Sequence, residues 1–478
     1  MRKPERIFAR DAEWDHLARF ASRTADRPQL AVISGRRRQG KTFLVQGLAE
    51  EAGGLYFGAT EATEAESLAL FAAAVGMHLD LSSPPRFRRW DDAIRFLFTT
   101  DPARGPFVID EFPYLSKVSP ALPSILQREI DQAASGGRPT SVLLCGSAMS
   151  VMGGLLSGNA PLRGRASLEL VVRPFDYRLA AEFWDLADPK LAVLVHAVAG
   201  GTPAYRRFVD DDIPASAGDF DDWILRTVLS PVNPLFREAR YLLEEEMDVR
   251  DSALYHSVLA AVAAGNSTRG GIANYVGRKA TDIGHQLTVL EDSGLLRRQE
   301  DVFRARRATY HVAEPLVVFY QVVMRPQWGL LESGRAENVW EAARTRFSSQ
   351  VVGPHFEQLC RDFALAAPPE LFGELPGQIG AGVVPDHSRR SQIEVDVVVL
   401  APTVPGQRRK LLSLGEVKWG EVMGRRHVER LERARQLLSR NYDTSETKLA
   451  CYSGAGFEPG LDPEVLTIGL DRLYKSFA

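Results

Sequence analysis

Residues 30–42 read LAVISGRRRQGKT, an apolar run followed at once by a basic turn between two glycines. The last eight letters fit the pattern G-x-x-x-x-G-K-[ST], which predicts a loop that wraps around phosphate. Gly35 and Gly40 would permit tight backbone turns that aim N–H groups at phosphate oxygens. Lys41 would supply a cation to the β- and γ-phosphates, and the Thr42 hydroxyl would ligate Mg²⁺. The alternative is an arginine-rich surface turn.

The expected ligand of this turn is ATP, with Mg²⁺ as its cofactor. We expect the whole turn and the first residues of the following helix to contact the nucleotide: Gly35, Arg36, Arg37, Arg38, Gln39, Gly40, Lys41, Thr42 and Phe43. The helix would add the positive end of its dipole to the attraction for phosphate.

A second nucleotide signal follows about 70 residues after Lys41, where an apolar run at 107–109 ends in Asp110 and Glu111. An aspartate at the end of a strand can hold Mg²⁺, as Thr42 can, and the next glutamate can polarise the attacking water. Lys41 and Glu111 are therefore the predicted catalytic residues of this part. The alternative is a strand that ends in two solvated acids.

Size and composition indicate several ordinary globular domains, with 478 residues of which 45% are hydrophobic and 25% are charged. A net charge of −3 excludes a globally basic nucleic-acid coat but not local basic faces. Three widely spaced cysteines exclude a disulfide framework and a typical structural zinc site. No apolar leader and no bilayer-length apolar run is present. We expect a cytoplasmic protein without a membrane partner, and its oligomeric state stays open.

The first 180 residues alternate short apolar segments with helical patterns. The pattern predicts strands at 30–34, 55–58, 107–110, 142–145 and 168–172, and helices at 43–51, 67–78, 90–98 and 122–134. Apolar strands separated by helices indicate an α/β fold in which a parallel sheet is covered on both faces.

Three further regions differ in pattern. Residues 181–248 look helical, like a lid. Residues 249–330 give helices at 253–264, 269–275 and 279–292 and then two strands, the order of a winged helix-turn-helix. Residues 335–478 open with a helix at 353–365, followed by strands at 393–400 and 411–417 and a charged helix at 426–438. The predicted domains are therefore 1–180, 181–248, 249–330 and 335–478.

Several segments in order resemble P-loop ATPases of the AAA+/STAND type, in particular bacterial and archaeal ones with a winged helix and a C-terminal nuclease-like domain. These segments are 8–13 (FARDAE), 143–147 (LLCGS), 161–165 (PLRGR) and 200–205 (GGTPAY). The resemblance implies that Ser147 senses the γ-phosphate and that Arg163 or Arg165 reaches the phosphates, in its own chain or in a neighbour. It also implies that Pro203 lies in a helical lid over the nucleotide. The alternatives are a helix-capping serine, solvated arginines and a plain loop.

A second chemical pattern lies in the C-terminal region. Asp396 falls in one predicted strand, and Glu416 and Lys418 fall two residues apart in the next, so the latter two share a face. Two carboxylates can bind Mg²⁺ with water completing its shell, and a nearby lysine can help to activate water. This arrangement resembles the α/β PD-(D/E)xK nuclease fold with its D…ExK motif, which implies that Glu357 adds a helix carboxylate. The resemblance makes Glu357, Asp396 and Glu416 metal ligands, and Asp396, Glu416 and Lys418 catalytic. The alternative is a sheet with ordinary surface acids.

Nucleic acid, most simply DNA, is the expected partner of the second half. Basic residues crowd 408–435, although interleaved glutamates also allow a merely solvated helix. The wing of the winged helix would present Arg297, Arg298, Arg304, Arg306 and Arg307. We expect ATP hydrolysis coupled to binding or cleavage of nucleic acid. The alternatives are a nucleotide-dependent switch with a silent C-terminal domain, and a DNA-binding regulator acting through residues 250–325.

Overall fold

The computed structural model describes residues 1–22, 27–99, 105–246, 252–304 and 307–476. They form two compact units. The first comprises Met1–Pro174 with Thr202–Ala204, and the second comprises Phe175–Gly201 with Tyr205–Ala478. The finer division into four domains stays a prediction. None of the helices in the described ranges is long and apolar enough to cross a membrane.

The first unit is built on a five-stranded sheet. Its strands are β1 (Gln29–Ser34), β2 (Leu55–Gly58), β3 (Phe107–Asp110), β4 (Ser141–Gly146) and β5 (Ala166–Val171). They lie in the order β2-β3-β4-β1-β5, and the pairings between them are parallel. The parallel sheet predicted from the alternation of apolar strands and helices is thereby confirmed.

Helices cover both faces of this sheet. They are α1 (Asp11–Ser22), α2 (Lys41–Ala52), α3 (Glu64–His78), α4 (Trp90–Thr99), α5 (Phe112–Val118), α6 (Leu122–Ser135) and α7 (Met149–Gly154). Alternate residues of a strand point to opposite sides, so Leu30 and Val32 join one apolar core. Ala31 and Ile33 join the other, together with Trp14 of α1. Because β1 is buried on both faces, the turn that follows it is held firmly.

The second unit opens with helices that share one large apolar core. They are α8 (Tyr177–Phe183), α9 (Pro189–Ala199), α10 (Ala204–Phe208), α11 (Phe220–Arg226) and α12 (Pro234–Glu246). Asp176 and Asp188 cap the first two, because each carboxylate accepts a hydrogen bond from a backbone N–H of the first turn. Trp184 and Trp223 are buried in the core that these helices share.

A helical segment and a hairpin follow in the order predicted for a winged helix-turn-helix. They are α13 (Ser252–Ala263), α14 (Arg269–Tyr275), α15 (Gly284–Asp292), β6 (Leu296–Glu300) and β7 (Ala308–Val312), with the two strands antiparallel. The expectation that the third helix starts at Lys279 is wrong, since α15 begins at Gly284. Arg269 donates to the Ala280 carbonyl at 2.6 Å, which stabilises a turn just before the helix. Arg306, expected on the wing, lies outside the described residues.

The C-terminal part combines helices with a mixed sheet. Its elements are α16 (Pro315–Phe319), a π-helical stretch (Tyr320–Met324), a 3₁₀ turn (Arg325–Gln327), α17 (Trp328–Glu332), α18 (Ala336–Phe347), a second π-helical stretch (Ser348–Val352), α19 (Gly353–Ala366), α20 (Pro369–Phe372), β8 (Gln378–Asp386), β9 (Ser391–Leu400), β10 (Leu411–Lys418), α21 (Arg425–Leu438), β11 (Lys448–Ser453), β12 (Leu466–Gly469) and α22 (Leu470–Tyr474). The strand order is β12-β11-β10-β9-β8. The pairs β8/β9 and β9/β10 are antiparallel, and β10/β11 and β11/β12 are parallel.

Helices α19 and α21 pack on opposite faces of this sheet. Val397 and Val399 of β9 join the apolar core that contains Phe363 of α19. Leu414 of β10 joins a separate core with Leu431 of α21. Side chains of β9 and β10 therefore meet a helix on either face.

Candidate functional site

The glycine-flanked turn predicted to bind phosphate lies between β1 and α2, at the carboxyl edge of the first sheet. Gly35 has a φ of 152° and Gly40 a φ of 88°, conformations that favour glycine. A Cβ at Gly35 would overlap the Val172 carbonyl oxygen, so no larger residue fits there. The 12-residue helix α2 begins directly after Gly40, so its free N–H groups and positive dipole end lie at the turn.

Contacts among its own residues close the loop. The Arg36 N–H donates to Gln39 Oε1 at 3.1 Å. The Lys41 ammonium group donates to the Arg36 carbonyl at 2.8 Å, and Lys41 is only 4% exposed. The loop thus folds around a buried cation, an arrangement suited to an anionic ligand.

Thr42 and Asp110, predicted independently as magnesium ligands, are in direct contact. The Thr42 hydroxyl donates to Asp110 Oδ2 at 2.8 Å. The same oxygen accepts from the Tyr56 hydroxyl at 3.1 Å, and Oδ1 accepts from the Glu111 N–H at 2.9 Å. Burial and the nearby Asp110 charge raise the pKa of Tyr56, so the phenol stays a donor. Both oxygens of this buried carboxylate are therefore fixed in direction.

Glu111 occupies a strained position at the start of α5. Its φ of 52° and ψ of 40° are left-handed, which costs a non-glycine residue about 1 kcal/mol. Its carboxylate accepts a hydrogen bond from Ser147 Oγ at 3.1 Å. The two residues follow the neighbouring strands β3 and β4. Ser147, which was predicted to sense the γ-phosphate, therefore holds the carboxylate of Glu111, which was predicted to polarise water.

Two arginines connect the loop to neighbouring segments. Arg10 donates to the carbonyls of Gln39 at 3.3 Å and of Arg173 at 2.6 Å. The segment 8–13 therefore lies beside the loop. Arg37 donates to the Tyr114 hydroxyl at 2.9 Å, which links the loop to α5.

The two arginines of the segment 161–165 are engaged by other groups of the protein. Arg163 donates to the Gly158 carbonyl at 2.6 Å. Arg165 makes a two-pronged ion pair with Asp131, with both bonds at 2.8 Å. A phosphate contact by either arginine would require it to exchange this partner, and the contact stays a prediction.

Phe43, Arg38 and Pro203 complete the set of predicted nucleotide contacts. Phe43 is half exposed on the first turn of α2. Arg38 has a left-handed φ of 70° within the loop. Pro203 lies in the short segment Thr202–Ala204, which belongs to the first unit although the residues on either side of it belong to the second. Their contact with a nucleotide stays a prediction.

The residues of the first unit fit a nucleoside triphosphate with a divalent cation. The turn supplies N–H groups, a helix start and a buried ammonium group for phosphate. Thr42 and Asp110 supply the hydroxyl and carboxylate oxygens that Mg²⁺ prefers. A parallel sheet that carries this loop after its first strand has the α/β fold of P-loop nucleotide-binding proteins.

Several known proteins are similar to this chain. No family model matches the sequence. The uncharacterized protein MJECL04 of Methanocaldococcus jannaschii is 27% identical over 342 residues, which cover 70% of this chain and 73% of that protein. The Walker-type ATPase PABY2304 of Pyrococcus abyssi has a TM-score of 0.48 and 18% identity, over 67% of this chain and 97% of that chain. The Aeropyrum pernix ORC2 protein has a TM-score of 0.42 and 14% identity, over 72% of this chain and 97% of that chain.

The second predicted site lies on β9 and β10. Asp396 Oδ2 accepts from the Val417 N–H at 2.9 Å, so the β9 carboxylate reaches β10 between Glu416 and Lys418. The Lys418 ammonium nitrogen lies 3.0 Å from Glu416 Oε1, which confirms that these two side chains share a face. The three residues of the predicted D…ExK pattern therefore meet in one place.

Glu357 projects from α19 toward the same place. Burial and then the Glu357 charge raise the pKa of Asp396 to about 7. Partial burial also raises the pKa of Glu357, against the opposing charges of Arg361 and Lys418. Arg361 lies 3.7 Å from Glu357 and donates to the Asp396 carbonyl at 3.0 Å. A cation bound here would displace protons from these carboxylates.

Glu416 is bound by protein cations through one oxygen. Its Oε1 accepts from Arg430 of α21 at 2.9 Å, in addition to its contact with Lys418. Its Oε2 is buried and has no hydrogen-bond partner in the described part of the chain, so a cation ligand would satisfy it. In those same ranges no group of three or more His, Cys, Asp or Glu side chains is arranged to hold a metal ion. Water would have to complete most of the shell of a cation bound here.

The basic stripe predicted at 408–435 is largely neutralised by the protein itself. Arg433 donates to both carboxylate oxygens of Asp386, at 2.8 and 3.0 Å. Arg425 pairs with Glu429 at 3.0 Å on the same helix, and Arg430 is bound to Glu416. The stripe therefore offers less positive charge to nucleic acid than its sequence suggests.

The roles of three residues of these sites were not predicted from the sequence. Tyr56 lies in a strand, where no motif separates it from core residues. Arg361 follows Glu357 at the i, i+4 spacing, a signal that could have indicated the pair. Arg430 was noted as a member of the basic stripe, and nothing local shows that it binds a buried carboxylate.

Replacing Asp396 by asparagine is expected to stabilise the protein at pH 8. The pKa of Asp396 is raised, so the folded state binds more protons between about pH 4 and 7 and loses stability as pH rises through that window. Asparagine keeps the acceptor for Val417 without the charge. We expect a gain of about 1 to 3 kcal/mol at pH 8, since one pKa unit corresponds to about 1.4 kcal/mol, and a smaller gain toward pH 5.

Thermal unfolding followed by calorimetry measures this difference. The control is Glu432→Gln, an exposed carboxylate on α21, which should leave the unfolding temperature unchanged. An Asp396→Asn protein that is no more stable than wild type at pH 8 would contradict the expectation.

Proposed function

We propose that this protein binds ATP with Mg²⁺ at the glycine-flanked loop and hydrolyses it, as P-loop ATPases of the AAA+/STAND type do. The observation that carries the proposal is the 2.8 Å hydrogen bond between Thr42 and Asp110. It brings together, next to the buried Lys41, the two oxygen ligands expected for a cation bound to phosphate.

In this proposal each residue of the site has a separate task. The loop N–H groups and Lys41 bind the phosphates, while Thr42 and Asp110 hold Mg²⁺. The bound cation neutralises charge on the phosphate oxygens. Glu111 accepts a proton from the water aligned with the γ-phosphate, and Ser147 keeps the Glu111 carboxylate in position.

Two further elements would respond to the nucleotide. Arg163 or Arg165 would add a cation to the charge that develops on the phosphates, in the same chain or in a neighbouring one. Pro203 would close over the nucleotide as part of the helical lid. The ion pair of Arg165 with Asp131 is the contact that phosphate would replace.

Lys41→Ala is expected to abolish the thermal stabilisation that ATP and Mg²⁺ confer on the wild type. Ligand present at about 100 times its Kd stabilises a protein by about 2.7 kcal/mol, and this gain should vanish with the ammonium group. Hydrolysis, measured as phosphate release, should fall by roughly 100-fold or more. The matched control is Lys117→Ala, which removes an exposed lysine from α5 of the same unit. If ATP still stabilised the Lys41→Ala variant, the proposed nucleotide site would be wrong.

Ser147→Ala is expected to lower kcat for ATP about tenfold and to leave KM almost unchanged. The substitution removes the donor that holds Glu111, which acts in hydrolysis and not in binding. Ser150→Ala, an exposed serine of α7, is the control and should match the wild type. An equal loss of nucleotide affinity in Ser147→Ala would instead assign the serine to binding.

We further propose that residues 335–478 form a PD-(D/E)xK-like domain that binds or cleaves nucleic acid with Mg²⁺. The support is local. Asp396 contacts the backbone between Glu416 and Lys418, Glu357 joins them from α19, and one oxygen of Glu416 is buried without a partner. Asp396 and Glu416 would hold the cation directly, Glu357 would contact it through water, and Lys418 would assist the attacking water.

A specific observation favours the alternative, a nucleotide-dependent switch with a silent C-terminal domain. Arg430 and Lys418 both contact Glu416 Oε1. A carboxylate already neutralised by two cations binds a metal ion less strongly than a free one. In this second candidate the acids and bases of the site hold α19, α21 and the sheet together.

Nicking of supercoiled plasmid distinguishes these two functions. If the domain is a nuclease, wild type nicks DNA with Mg²⁺ or Mn²⁺, and both Asp396→Ala and Lys418→Ala lose this activity by roughly 100-fold or more. Glu432→Gln, at an exposed acid on α21, should cleave like the wild type. Absence of cleavage by wild type with ATP, with ADP and without nucleotide would decide for the switch.

A further inference from the structure

The β6–β7 hairpin contacts the C-terminal sheet through its tip, residues 301–304. The Val302 N–H donates to the Ala381 carbonyl at 3.1 Å, which adds a backbone hydrogen bond to β8, the edge strand of that sheet. The Asp301 carboxylate accepts from the Val383 N–H of β8 at 3.4 Å. It also accepts from two N–H groups of the tip itself, at 2.9 and 3.1 Å. One side chain therefore both shapes the tip and attaches it to β8.

Two glycines of β8 make room for the tip. A Cβ on Gly382 would overlap the Phe303 ring, and a Cβ on Gly380 would lie 2.7 Å from Val302 Cγ2. Neither glycine has a left-handed φ, so the backbone does not require glycine there, whereas the contact with the tip does. Phe303 also packs edge-to-face on Tyr442, with ring centroids 5.6 Å apart.

The base of the hairpin also faces the C-terminal part. Arg297 on β6 is half-buried near Arg361 and Asp362 of α19, and desolvation lowers its pKa. His311, opposite Arg297 on β7, is half-buried beside Arg297 and Arg361, and desolvation together with these positive charges lowers its pKa to about 4. A face of the hairpin expected to bind phosphate is therefore turned toward protein.

We propose that the hairpin tip is a built-in ligand of strand β8, and that duplex DNA reaches the hairpin arginines only after the tip has left β8. A wing contacts phosphates and grooves through its tip and flanking arginines, so one tip cannot occupy β8 and a duplex together. The tip also covers a sheet edge whose unpaired backbone groups would otherwise invite another strand. This inference rests on the hypothesis, drawn from the sequence, that residues 250–325 bind DNA as a winged helix, and it is independent of ATP hydrolysis and of DNA cleavage.

A reversible lock tests the exclusion directly in the full-length protein. The double variant Val302→Cys with Gly380→Cys places two thiols within disulfide reach, and the native cysteines are buried. We expect oxidation to form the cross-link and to weaken binding of a fluorescent 30-base-pair duplex by about tenfold, because phosphate contacts carry most of such affinity. Reduction should restore binding, and wild type should be indifferent to oxidation. Failure of the cross-link to form, or equal binding by the locked and reduced forms, including no binding by either, would overturn the proposal.

Variants that weaken the contact between the hairpin tip and β8 are expected to have the opposite effect to the cross-link. Gly382→Ala inserts a methyl group against the Phe303 ring, and Phe303→Ala removes that ring. Each is expected to strengthen duplex binding several-fold and to speed hydrogen exchange of the Val302 amide, measured by mass spectrometry. In the Phe303→Ala background Gly382→Ala should add little, because the clash is gone. Gly420→Ala, at an exposed glycine with open space around it, is the control. Fully additive effects, or slower exchange in the single variants, would contradict a direct contact.

ATP-dependent thermal stabilisation, followed in the same preparations, keeps the two proposals apart. The hairpin variants are expected to retain it, since they leave the first unit intact. Loss of nucleotide binding in Lys41→Ala with an unchanged response to the lock would separate the hairpin from the ATPase.

Discussion

The hydrogen bond between Thr42 and Asp110 depends on the order of the first sheet. Strand β4 lies between β1 and β3, yet residues that follow β1 and end β3 touch at 2.8 Å. Parallel strands bring their carboxyl ends to one edge of a sheet, where loops and helix starts converge. The intervening strand supplies Ser147, which holds Glu111. The order of the strands therefore brings the phosphate loop, the carboxylates of Asp110 and Glu111, and Ser147 to the same edge of the sheet.

Such a site is costly to build, since it buries charge and strains the backbone. Lys41 and Asp110 are almost wholly buried, and Glu111 is left-handed. Buried polar groups persist only when hydrogen bonds replace lost water, and here each has a protein partner at normal distance. The two apolar cores on either side of β1 offset the cost, because they fix the strand from which the loop departs.

The first unit could be predicted closely because its signals are local. Each strand is a short run of largely apolar residues between polar breaks, and the three central strands β3, β4 and β1 are buried on both faces. The phosphate loop has fixed glycine positions. Strand β8 gives no such signal, since Gly380, Gly382 and Pro385 interrupt it. The glycines are explained by their contact with the hairpin tip, which lies about 80 residues earlier in the chain. The pairing of Arg430 with Glu416 is equally non-local, so no spacing rule could indicate it.

Helix α19 relates the docked hairpin to the carboxylate site. Asp362, near Arg297 of the hairpin, directly follows Arg361, which contacts both Glu357 and the Asp396 carbonyl. A change in the charge that faces Asp362 therefore acts next to Arg361, the arginine that contacts Glu357 and the backbone of Asp396. Charged groups so close in a poorly hydrated setting interact strongly. Because Arg297 lies at the base of the hairpin, release of the tip would alter the electrostatic balance at Asp396 only where it also moves this positive charge away from α19, whether Asp396 holds a metal ion or only joins a helix to a sheet.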